Sequence, residues 1–147
     1  MTDADCEAVS ALIFRSYDRV PMHYNAPGLI ETFREHATPK SLREQFTRKD
    51  VYVVEDGGRI VATGGVGQWD EEAGPDRRVA VLFVAVDLLG RGIGRMLLDC
   101  LEALARAASL HVISSRNAAS FYQRAGCRVD DPHPETAVEL TWMTKPL

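Results

Sequence analysis

Between Leu88 and Leu97 the chain reads LLGRGIGRML, with glycine at positions 90, 92 and 94 and arginine at 91 and 95. An apolar run leads into this stretch and a helical pattern leads out of it. The glycines therefore sit at a helix N-terminus, where free N–H groups carry roughly +0.5 charge. Backbone this open lets a phosphate approach those groups closely, and Arg91 and Arg95 add positive charge at the edges. A nucleoside-triphosphate loop would need G-x-x-x-x-G-K-[ST], which is absent. A dinucleotide site would want G-x-G-x-x-G early in a parallel unit, with an acid about 20 residues on. The spacing here is G-x-G-x-G after three strands. The competing readings are a tight turn whose glycines serve packing alone and a nucleotide-binding regulator.

Few other residues are spaced for chemistry. Cys6, Cys100 and Cys127 are odd in number, lie far apart and form no C-x-x-C, so neither a disulfide framework nor a zinc site is indicated. His23, His36 and His133 lack metal-ligand spacing and read as surface or loop residues. Seventeen basic against 21 acidic residues give a net charge of -4, which supplies no general pull toward nucleic acid or an anionic membrane. The start, MTDADCEAV, is acidic where a signal peptide would be basic, and the apolar run from Val79 to Val86 is too short to span a bilayer. A cytoplasmic location with reduced thiols is the expectation.

The elements that must position the glycine turn follow from periodicity. Val9, Leu12, Ile13, Ser16 and Tyr17 recur at helical spacing after a run of capping residues. The segment from Pro21 to Gly28 has loop composition. A second helical region is broken near Pro39, and its second piece opens on a capping box, Ser41 with Glu44. VYVVED and RIVATGGVGQWD form a hairpin about Asp56 to Gly58. Gly64, Gly65 and Gly67 in its second strand permit a bulge or close packing, or leave room for a ligand. RRVAVLFVAVD is apolar on both faces, hence a central strand. The helix after Gly94 carries a stripe of Ile93, Met96, Leu97, Cys100, Leu101, Leu104 and Ala108. LHVIS is a strand, and NAASFYQRAG a helix stopped by Gly126. CRVDD and TAVELTWMTKPL close the chain as paired strands, with Val138, Leu140 and Trp142 alternating and Trp142 read as core. The order is ααβββαβαββ in one domain, residues 1–147.

With these elements in place, the chain resembles the GNAT superfamily of acetyl-CoA-dependent N-acyltransferases. The family's [QR]-x-x-G-x-[GA] pattern, set between a strand and a long helix, is matched at Gly92 and Gly94, while its opening Gln or Arg falls on Leu89. NAASFYQRAGC, Asn117 to Cys127, resembles the family's N-A-x-x-F-Y-x-x-x-G-F, with Cys127 in place of phenylalanine. The resemblance implies an α/β fold of α+β type, a mostly antiparallel mixed sheet splayed at its centre and flanked by helices. It implies that acetyl-CoA binds along Leu82, Phe83, Val84, Gly90, Arg91, Gly92, Ile93, Gly94, Arg95, Asn117 and Tyr122, with no metal.

The chemistry so implied is attack of a neutral amine on a thioester. Backbone N–H groups near Val84 would stabilise the oxyanion. Tyr122, with a reference pKa of about 10, would act as the acid toward a thiolate whose pKa is about 8.5. A general base is not evident, because the strands where relatives place a glutamate contain no acid here. His111 alternates away from the face of Val112 and Ser114, and Asp70, Glu71 and Glu72 read as a solvated hairpin. Ordered water or an acceptor that arrives neutral serves as well. The expected acceptor is a small-molecule amine, with the loop of His23, Tyr24 and Asn25 shaping its pocket. A peptide or protein amine and a catalytically inactive acyl-CoA sensor are the alternatives. No nucleic-acid or membrane partner is expected, and an edge strand near the C-terminus could pair in a homodimer.

Overall fold

A computed structural model describes residues 1–19, 29–68, 77–130 and 140–147. Segment 20–28, with His23, Tyr24 and Asn25, lies outside them. So do 69–76, with Asp70, Glu71 and Glu72, and 131–139, with His133 and Val138. The described helices are α1 (Cys6–Arg19), α2 (Leu29–His36), α3 (Pro39–Phe46), α4 (Ile93–Ala105) and α5 (Arg116–Arg124). The strands are β1 (Lys49–Asp56), β2 (Arg59–Gln68), β3 (Arg77–Val84), β4 (Ser109–Ser115), β5 (Arg128–Val129) and β6 (Leu140–Pro146). They form a six-stranded sheet in the order β1-β2-β3-β4-β6-β5, antiparallel except where β3 meets β4. Helices α4 and α5 cover one face, while α1 and α3 pack on the other. The fold class expected from the sequence is the one observed.

Helix α1 buries Val9, Leu12, Ile13 and Ser16 of the stripe its periodicity predicts, with Cys6 and Ser10 beside them, and leaves Tyr17 half-buried. The start of α3 departs from expectation. Ser41 and Glu44 do not form the capping box; Thr38 caps instead, accepting the Ser41 amide at 3.3 Å, and Pro39 occupies the first turn. Proline lacks only an N–H that the first turn would leave unpaired, so it opens a helix as readily as it interrupts one. The β1–β2 hairpin turns on Gly57 and Gly58 at φ +55° and +79°, a left-handed pair that matches the twist of the flanking strands.

The sheet breaks at its middle. Pairing of β2 with β3 runs from Gly65–Ala80 to Thr63–Phe83, so β3 carries one extra residue opposite Gly64. The bulge includes Val81 at φ +48°, a left-handed conformation that a β-branched residue seldom adopts. Strand β4 stays beside β3 only at Arg77–Leu110 and Arg78–His111, and past that point it pairs with β6 alone. A gap therefore opens between β3 and β4.

Helix α4 seals one side of the sheet by a face rotated from its predicted stripe, keeping Leu97 and Leu101 of that stripe in the core. Leu97, Leu98, Leu101 and Ala105 are buried, whereas Met96 and Leu104 are about half exposed, Cys100 is exposed, and the helix ends at Ala105 before reaching Ala108. This helix is apolar around most of its circumference, so periodicity alone does not choose the buried face. Gly64 helps to choose it, because a Cβ there would lie 2.9 to 3.1 Å from side-chain carbons of Leu82, Leu97 and Leu101. Gly65 and Gly67 likewise lie close against Val51 and Lys49, so these glycines serve close packing.

Helix α5 ends with Gly126 at φ +95°, its amide bonded to the Gln123 carbonyl and the Cys127 amide to the Tyr122 carbonyl, each at 3.0 Å. In β6 the buried residue is Met143, and Trp142, expected in the core, is half-buried on the opposite face. A part-buried ion pair, Lys145 to both Glu102 oxygens at 2.6 Å, ties β6 to α4. Gly64→Ala should destabilise the chain by about 1 to 3 kcal/mol through overpacking, read as a lower urea midpoint at unchanged slope.

Candidate functional site

A cavity of about 1030 Å³ lies at the gap between β3 and β4, lined from both faces of the sheet. On the α4 side its wall includes Leu88, Leu89, Gly90, Gly92, Ile93, Gly94 and Arg95. Gly90 and Gly92 take φ of +76° and +85°, and a Cβ at either would meet nothing within 4 Å. These two are therefore needed for the course of the backbone. Gly92 caps α4 with no side-chain bond, and the first turn holds no acid. The first amides of the helix have no carbonyl within it to bond, and the residues of that turn, Gly92 to Arg95, line the cavity. Arg95 bonds to Asp99 one turn on, at 2.8 Å. Arg91 is exposed and stands outside the cavity wall, between Gly90 and Gly92, which line it.

The mouth of the gap is made by the end of β3. Leu82, Phe83 and Val84 all line the cavity. Ala85 donates its amide to the Val61 carbonyl at 2.8 Å, which makes Ala62–Val84 the non-bonded pair of the ladder. The Val84 N–H therefore points away from β2, toward the space that β4 has left.

Helix α5 forms the facing wall. Asn117 is exposed in its first turn and lines the cavity, as do Phe121 and Tyr122. The two rings meet edge to face, with centroids 5.0 Å apart. Tyr122 is only 6% exposed, and its hydroxyl makes no hydrogen bond to a described residue. Burial, with a smaller contribution from Cys127, raises its phenol above the ordinary value. A buried hydroxyl without a partner is uncommon in a folded protein. This one borders a cavity that can supply a partner.

On the α1 face the wall is made by Tyr17, Thr32, Phe33, His36, Gln45, Lys49 and Arg78. Tyr17 lies edge-on to Phe83 at 5.6 Å. His36 donates its Nδ1 proton to the Thr32 carbonyl at 2.7 Å, so the neutral ring keeps its lone pair on Nε2. Lys49 on β1 and Arg78 on β3 are half-buried cations that flank Gly67 of the intervening β2. None of these polar residues was singled out for function by the sequence reading. The available signal was a cation in register with core valines: Lys49 precedes Val51 and Val53 on the same face of β1.

Among the described residues lining the cavity there is no carboxylate. His111 stands outside the wall, at a position where β4 is still paired with β3. Its ring contacts the Ser109 hydroxyl at 3.2 Å and the Thr144 hydroxyl at 3.1 Å, and Thr144 donates to Asp130 at 2.9 Å. The described residues contain no cluster of metal ligands, and Cys6, Cys100 and Cys127 are free thiols. No described helix is long and apolar enough to cross a membrane.

Comparison with known proteins places this geometry. The chain matches the fold of the PaiA N-acetyltransferase from Thermoplasma acidophilum in complex with coenzyme A, with a TM-score of 0.81, 16% identity, and coverage of 100% of this chain and 96% of that one. It matches the ribosomal-protein-alanine N-acetyltransferase from Brucella melitensis with a TM-score of 0.70, 22% identity, and coverage of 100% and 97%. An aminoglycoside 6'-N-acetyltransferase complexed with coenzyme A matches with a TM-score of 0.74, 13% identity, and coverage of 99% and 92%. No curated protein matches the sequence. The family model described as an acetyltransferase (GNAT) domain matches residues 15–146. The chain thus belongs to the GNAT acetyltransferase family.

Proposed function

We propose that this enzyme moves an acetyl group from acetyl-CoA to the primary amine of a small molecule by direct attack. The observation that carries the reading is that one cavity gathers the uncapped α4 N-terminus, the outward Val84 amide and the unpartnered Tyr122 hydroxyl. Two of the structural neighbours carry coenzyme A, which supports the same ligand here. The neighbours' acceptors, a ribosomal-protein alanine and an aminoglycoside, differ enough that the fold does not choose among amines.

Acetyl-CoA supplies an activated thioester and a thiolate leaving group. Its pyrophosphate suits the amides that open α4, with Gly90 and Gly92 clearing their approach. The Val84 N–H donates to the oxygen on which negative charge develops. Tyr122 donates to the departing sulfur. Because burial raises the phenol, it is a weaker acid than a free tyrosine. Hydrogen-bond donation to the thiolate is therefore its main contribution, with full proton transfer uphill toward a group near pKa 8.5. The proton of an ammonium acceptor passes to water or to His36 Nε2, the ring nitrogen that the Thr32 bond leaves as an acceptor.

Thermal unfolding in parallel with acetyl-CoA, CoA, ATP and NAD tests the reading. At about 100 times its dissociation constant a ligand stabilises by about 2.7 kcal/mol, and only the CoA compounds should raise the midpoint. Equal shifts with ATP or NAD, or none at all, would sink it. Gly92→Ala should lose about 1 to 2 kcal/mol, because alanine is strained at that φ, and its CoA-induced shift should shrink. Gly94→Ala is the contrasting case: its Cβ meets Val84 and Phe121 at 3.4 and 3.5 Å, so the free protein should keep or raise its midpoint. Tyr122→Phe should lower kcat by roughly 10²-fold or more. The same change should leave the unfolding midpoint unchanged or higher, since it removes an unpaired buried hydroxyl. In the unaltered enzyme kcat should show no loss from phenol ionisation at the ordinary tyrosine value near 10.

A further inference from the structure

We infer that the acceptor carries an anionic group, a carboxylate or a phosphate, beside its amine, and that Lys49 and Arg78 hold it. The inference rests on the acetyl-transfer reading and extends it to the substrate class. Lys49 pairs with Gly67 across β1 and β2, and Gly67 pairs with Arg78 across β2 and β3. The three positions form one row on the α1 face, the face opposite the glycine turn and Tyr122. Gly67 has no side chain to separate the two cations. Lys49 leans over it, and a Cβ there would lie 2.6 Å from Lys49 Cγ.

Both side chains line the cavity and both are half-buried. Burial lowers the pKa of each, and for Lys49 the charge of Arg78 adds to the effect. The Lys49 ammonium donates to a neutral group, the side-chain amide oxygen Oε1 of Gln45, at 3.0 Å. Lysine and arginine two strands apart in one row, both partly drawn from water and both lining the cavity, each present a cationic end to what enters it. An entering anion offsets the desolvation of Lys49 and the repulsion it feels from Arg78. A cationic polyamine would meet repulsion there. The anion and the amine then sit at two ends of one molecule, with the amine reaching across the gap toward Val84.

The test uses acetyl-CoA and amines matched in pairs: phosphoethanolamine with ethanolamine, and phenylalanine with phenylalaninamide. Production of free CoA thiol reports turnover, and the CoA-induced midpoint shift is measured on the same preparations. One charge-assisted hydrogen bond corresponds to roughly 10- to 100-fold, and at least one anionic member should exceed its neutral partner by that factor in kcat/KM. The two pairs separate phosphate from carboxylate. Lys49→Met should reduce that preference toward one, through a higher KM for the anionic member, and Arg78→Lys should retain it. A retained CoA shift shows that each variant is folded. Preference for the neutral members, or a preference unmoved by Lys49→Met, overturns the inference while leaving acetyl transfer intact. If no pair turns over, inorganic phosphate is titrated against the CoA-loaded protein, and absence of a shift that depends on Lys49 overturns it as well. Absence of any CoA shift in the unaltered protein instead removes the acetyl-transfer reading beneath it.

Discussion

The site depends on one break in hydrogen bonding, the parting of β3 from β4 after two residue pairs. A continuous ladder would use the β3 amides for pairing and leave no passage between the faces of the sheet. The bulge at Val81 adds a residue to β3 opposite Gly64, turning the strand end away from β4 while keeping it paired with β2. The strain of a left-handed valine is of the size that a surrounding core can impose, about 1 to 3 kcal/mol. That core includes Val81 itself, packed with Phe83 among residues of α1 and α3. From this break follow the outward Val84 amide and the cavity that α5 lines.

The cavity concentrates groups that a protein built only for stability would pair internally. Helix α4 begins without a capping side chain or an acid. Tyr122 is buried with no described bond to its hydroxyl, and Lys49 meets only a neutral described partner among hydrogen bonds. Each arrangement costs desolvation or lost bonding, and each falls along one cavity lined from two faces of the sheet. Elsewhere the same chain pairs its groups well. Glu102 and Lys145 meet at 2.6 Å, and the Gly126 turn satisfies the last carbonyls of α5. The contrast separates a site from a defect, because the unpaired groups coincide in space rather than scatter.

Much of this was legible before any coordinates. The hairpin at Asp56 to Gly58, the stripe of α1, the central place of β3 and the stop at Gly126 all follow from local rules, and all are observed. The misreadings share a cause. Thr38 displaced Ser41 as the cap because Pro39 can either break or open a helix. On α4 the buried face was chosen by Gly64 on a distant strand, and on β6 the core side fell to Met143 instead of Trp142. In each case two local solutions were nearly equal, and contacts remote in sequence decided between them. The acceptor side of the cavity was the least legible, since Gln45, Lys49 and Arg78 come from separate elements and belong to no motif.

The sequence by itself determined the order of elements, the glycine turn at the start of α4 and the placing of Asn117 and Tyr122 on one short helix, because each rests on spacing within a few residues. Only the tertiary structure decided which face of α4 is buried, that Arg91 lies outside the cavity wall, that the Tyr122 hydroxyl lacks a described partner, and that Lys49 and Arg78 are neighbours across Gly67. Burial and the pairing of strands are properties of where distant segments meet. A residue's desolvation, and so its chemistry, is settled by those neighbours and not by the residues beside it in the chain.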